Sequence, residues 1–89
     1  MIRVETGPGW LTIRGHAGVS LRGADIVCAA VSILAETLAR RLPEGTARLG
    51  QGEAAFRFPQ DDPAAGFAVA GLELLARYYP KAVAVSQNG

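Results

Sequence analysis

The chain of 89 residues holds one cysteine, Cys28, and one histidine, His16. A single cysteine closes no disulfide within the chain, which points to a reducing compartment, the cytoplasm. One Cys and one His also fall short of the three or four ligands that zinc takes, so no metal site is expected. No G-x-x-x-x-G-K pattern is present to cradle a phosphate, and no cofactor is expected. Net charge is small. Nine Lys and Arg stand against eight Asp and Glu, and the arginines are spread along the chain from Arg3 to Arg77. With no basic run, direct nucleic-acid binding is not expected. Long apolar runs are absent as well. The longest, IVCAAVSILA, is too short to span a bilayer. Arg3 and Glu5 interrupt the segment where a secretory signal would need apolar residues, so a soluble protein without membrane attachment or export is expected.

What remains is enough for a core. Hydrophobic residues make up 49% and charged residues 19%, a balance that folds rather than stays disordered. The length suits a single domain over residues 1–89, small enough to gain from dimerisation. MIRVE and WLTIR alternate apolar and polar residues around GPG, which predicts two strands and a turn. From Asp25 to Leu42, Val27, Val31, Leu34, Leu38 and Leu42 recur at steps of three and four and predict a helix stopped by Pro43. TARLG and EAAFRF on either side of QG read as a hairpin. DDP starts a second helix, with Asp61 or Asp62 as cap and Pro63 in the first turn, running through Phe67, Leu74, Leu75 and Tyr78 to Pro80. KAVAV closes as a strand. The expected fold is α+β, in two layers: a mostly antiparallel sheet with two helices on one face, in the order β-β-α-β-β-α-β.

His16 and Cys28 fall in the segment GHAGVSLRGADIVCAAVS. With Asp25 as N-cap, Cys28 is the third residue of the helix, where unpaired N–H groups and the macrodipole favour a thiolate, the nucleophilic form. Asp25, Cys28 and Ser32 then make a polar line at steps of three and four. Pairing of His16 with Cys28 requires the chain to turn at Gly15, which glycine permits. The residues from Ala17 to Ala24 read as a mobile loop over the site, hinged at Gly18 and Gly23. Taken one at a time, these residues have plainer roles open to them: Cys28 an inert small hydrophobe, His16 a loop hydrogen-bonder, Asp25 a cap, Ser32 a hydroxyl bonded back to its own helix.

The run GHAG followed by GADIVCAAVSIL resembles the signature of the ribosomal-processing cysteine protease family, Prp. There a Gly-His pair precedes a loop and then an Asp-x-x-Cys-x-x-x-Ser segment that opens a helix. His16, Asp25, Cys28 and Ser32 all match, and GLELLARYYPKAVAV is similar to the closing helix and strand of the family. The resemblance implies a homodimeric cysteine endopeptidase that removes the N-terminal extension of a large-subunit ribosomal protein. It implies Cys28 as nucleophile and His16 as base. Asp25 and Ser32 would support the site or bind substrate, and the N–H groups of Cys28 and Ala29 would face the oxyanion. The loop carries VSLRGA where many members have aromatic and acidic residues. Two other classes compete: a non-catalytic ribosome-associated binding module on the same fold, and a thiol redox enzyme, which would lack a resolving cysteine in the chain.

Overall fold

The computed structural model describes residues 1–15 and 22–88, and of residues 22–25 the backbone alone. Two strands joined at Pro8 and Gly9, β1 (Ile2–Gly7) and β2 (Trp10–Arg14), are followed by helix α1 (Arg22–Arg41). Next come the hairpin strands β3 (Ala47–Gly50) and β4 (Glu53–Arg57), helix α2 (Pro63–Tyr78) and strand β5 (Val83–Gln87). The element order and the α+β class are those expected from the sequence.

The five strands form one sheet in the order β3-β4-β2-β1-β5. Every pairing is antiparallel except that of β1 with β5. Alternation along β1 turns Ile2, Val4 and Thr6 inward and Arg3 and Glu5 outward, as period-two side-chain placement requires. Leu11 and Ile13 from β2, Ala54 and Phe56 from β4 and Val83 from β5 complete the inner face. Burying side chains such as Phe56, Leu11 and Leu72 stabilises the fold by about 1.5–3 kcal/mol each. Thr6 is the one buried polar residue among those described, and its hydroxyl donates to the carbonyl of Trp10 at 2.9 Å.

Both helices cover this inner face. α1 buries Val27, Val31, Ala35 and Leu38, with Leu34 only half-buried, and Leu42 just past its end is buried too. α2 is capped by Asp62, whose carboxylate accepts from the N–H of Ala65 at 2.9 Å, with Pro63 at the first helical position. The apolar residues that announce α2 in the sequence are not the ones it buries. Ala65, Ala68 and Leu72 face the sheet, whereas Phe67 is 77% exposed, Tyr78 68% and Leu74 48%. Small alanines let the helix lie close to the sheet and turn the bulky residues outward. α1 and α2 follow β2 and β4, which run oppositely, so the helices lie antiparallel. They meet closely where Leu34 packs 3.0 Å from the position a Cβ would take on Gly71.

The outer face of the sheet carries Arg3, Arg14, Arg48 and Arg57, interspersed with Glu5 and Glu53. Arginines scattered in sequence thus share one surface. No helix of the described residues is long and apolar enough to cross a membrane.

Candidate active site

α1 begins at Arg22, a turn before the expected cap at Asp25. Acidic residues are favoured inside the first turn as much as at the cap position, so Asp25 is compatible with either boundary. The consequence for the site is direct. Cys28 lies in the second turn, where backbone N–H groups are committed to carbonyls four residues earlier. The expected place of Cys28 in the first turn is therefore corrected, and with it the expectation that the N–H groups of Cys28 and Ala29 lie at the helix start. Gly23 is corrected as a loop hinge for the same reason: it is a helical residue. His16 and Gly18 lie outside the described residues, as does the side chain of Asp25.

Cys28 is half-buried at the edge of the core. Ser32 and Glu36 follow it at intervals of four on the same flank of α1, and both are exposed. This flank forms one wall of a cleft of about 610 Å³. The opposite wall is the end of the β3–β4 hairpin, from Leu49 to Ala54, and Ile2, Ile13, Val31 and Ala35 make an apolar floor. Ala29 does not line it and is exposed.

Gly15 also lines the cleft. It adopts φ of 94°, a left-handed conformation that favours glycine, and so supplies the turn that the sequence requires there. Its N–H donates to the carbonyl of Gly52 at 2.8 Å, and Gly52, in the hairpin turn, has φ of 77°. The end of β2 is thereby tied to the tip of the hairpin. The structure brings Gly15, Cys28 and Ser32 to one cleft. Glu36 and the hairpin tip join them without having been anticipated. Glu36 was legible in principle, since it continues the four-residue spacing from Cys28 through Ser32. The hairpin tip had no local signal, because its place depends on the register of β4 against β2.

A second cleft, of about 590 Å³, lies at the start of α2, between Thr6, Asp62, Gly66 and Asn88. It contains neither Cys28 nor Ser32.

A model of the family described as cysteine protease Prp matches residues 9–84. Among solved structures, SMU.848 from Streptococcus mutans is similar with 24% identity and a TM-score of 0.75, over 98% of this chain and 93% of that one. An essential ribosomal processing protease Prp from S. aureus, in complex with a covalently linked product peptide, is similar with 17% identity and a TM-score of 0.76, over 99% of this chain and 100% of that one. The same S. aureus protease in complex with a substrate peptide is similar with 17% identity and a TM-score of 0.75, at the same coverage. At these identities the structural likenesses show the fold. No curated protein matches the sequence.

Proposed function

Since the chain belongs to the cysteine protease Prp family, we propose that it removes the N-terminal extension of a large-subunit ribosomal protein, with Cys28 as nucleophile and His16 as its base. The observation that carries this reading is a shared cleft: Cys28 and Gly15, the neighbour of His16 in the chain, both line a groove with an apolar floor. The similar S. aureus protease, with its substrate peptide and its covalently linked product peptide, supports a peptide as the occupant.

The chemistry follows from the residue types. The Cys28 thiolate attacks the scissile carbonyl carbon while His16 holds the proton as imidazolium. Collapse of the tetrahedral intermediate breaks the C–N bond, His16 protonates the leaving amine, and a thioester remains on Sγ. Water, deprotonated by His16, then attacks the thioester, releasing the new carboxylate and restoring the thiol. One water is consumed per bond cut. Because the N–H groups of Cys28 and Ala29 sit within the helix, charge on the oxyanion has to be met by other donors. The exposed hydroxyl of Ser32, one turn beyond Cys28, is a donor in the cleft.

A cytoplasmic homodimer is the form we propose. Ile26 and Ile33 on α1 are 63% and 66% exposed, and with Phe67, Leu74 and Tyr78 on α2 they give the helical layer an apolar outer side. Exposed apolar surface of this kind marks protein contacts, and the antiparallel helix pair suits a two-fold interface.

A peptide spanning the junction of the extension tests the reading. Cys28→Ala is expected to abolish cleavage while the circular dichroism spectrum stays that of the wild type. His16→Ala is expected to lower the rate about 10²–10⁴-fold, the usual contribution of a positioned proton-transfer group. Cleavage by Cys28→Ala at the wild-type rate would overturn the assignment.

A further inference from the structure

Cys28, Ser32 and Glu36 stand at intervals of four on α1 and all line the cleft. A helix rise of 1.5 Å per residue sets Glu36 about 12 Å along the axis from Cys28, the span of three to four residues of extended chain. The facing wall is the end of the β3–β4 hairpin, with Leu49 and Gly50 from β3, and β3 ends the sheet. There the N–H of Arg57 donates to the carbonyl of Thr46 at 2.9 Å. In an antiparallel ladder hydrogen-bonded pairs alternate with non-bonded ones. Arg48 with Ala55 and Gly50 with Glu53 are therefore bonded pairs, and Ala47 and Leu49 turn their N–H and C=O groups to the open edge. Such an edge is a template for an added strand.

Among the described residues, the charge lining the cleft has one sign. Glu36 is the charged side chain that α1 brings to the cleft, none of the described residues that line it is Lys or Arg, and the other charged lining residue, Glu53, belongs to the outer face of the sheet. Arg40, one turn beyond Glu36, is the cation nearest to it along α1, and among the described residues no salt bridge engages Glu36.

We propose that the substrate lies extended between α1 and the open edge of β3, and that Glu36 is a specificity residue selecting a cationic side chain three to four residues from the bond that Cys28 attacks. This rests on the reading of Cys28 as nucleophile. An apolar floor takes the side chains nearest the bond, and the carboxylate of Glu36 reads charge farther along the segment.

Three peptides with the same residues around the cleaved junction test it, carrying Lys, Gln or Glu at the third and fourth positions on either side of the bond. The wild type is expected to favour the Lys peptide over the Gln peptide by about two- to fivefold in kcat/KM, the scale of one exposed ion pair. The preference should lie in KM and shrink at high salt. Glu36→Gln is expected to abolish the preference, and Glu36→Lys to turn it toward the Glu peptide. Glu44→Gln, which removes an exposed acid outside the cleft, should retain it. A Lys preference that survives Glu36→Gln, or a wild type indifferent to charge while it cleaves all three peptides, would overturn the specificity role and leave Cys28 as nucleophile. Failure of the wild type to cut any of the three would overturn both.

Discussion

A Cβ on Gly15 would lie 2.5 Å from the carbonyl oxygen of Met1, a backbone atom that cannot swing aside. The left-handed φ adds a second penalty for any other residue. Gly45 offers the comparison, with a similar φ of 88° and nothing within 4 Å of the place its Cβ would take. Gly45→Ala should therefore cost only the conformational term, about 1 kcal/mol. Gly15→Ala is expected to cost more, about 2–3 kcal/mol, read as the difference between the two urea midpoints. Because the N–H of Gly15 also holds the hairpin tip through Gly52, that substitution should in addition slow alkylation of Cys28 by changing the wall facing it. Equal midpoints for the two variants would show that the chain relaxes around Met1 without strain.

At the scale of elements, β3 is four residues long, yet it has two distinct sides. Leu49→Pro deletes an N–H that points to the open edge and leaves the bonded pairs of β3 with β4 intact, a position where proline is tolerated. Leu49→Ala removes the side chain and keeps the N–H. If substrate adds to this edge, Leu49→Pro should lower kcat/KM a further two- to tenfold, roughly, below Leu49→Ala, the worth of one backbone hydrogen bond. Identical kinetics for the pair would mean that the edge is not used. Local pattern made most of the elements legible: alternation in β1 and β2, the Gln51-Gly52 turn, and Asp62-Pro63 before α2. Two features escaped it. The start of α1 escaped because an aspartate is equally at home at the cap and within the first turn. The buried side of α2 escaped because alanine carries little apolar weight, although Ala65 and Ala68 are what meets the sheet. Cys28 and Ser32 were visible as a spacing, whereas the wall opposite them exists only through strand register.

In the whole molecule, the apolar outer side of the helical layer is the surface with most to gain from a partner. Phe67→Asp places a charge at the most exposed large hydrophobic residue described, and is expected to convert a dimer to a monomer in light scattering with little change in the urea midpoint. A wild type already monomeric at high concentration would remove the homodimer. The sheet order has a consequence in time. β1 lies inside the sheet and its parallel partner β5 is the last strand in the chain, with the N–H of Ile2 donating to the carbonyl of Ala82 at 2.8 Å. During translation at about 5–20 residues per second, the roughly 80 residues from Ile2 to Val83 take on the order of 4–16 s to appear. For that interval a nascent chain carries β1 with one side of its ladder unfilled, so a protein proposed to trim a ribosomal component spends its own synthesis with its first strand unsealed.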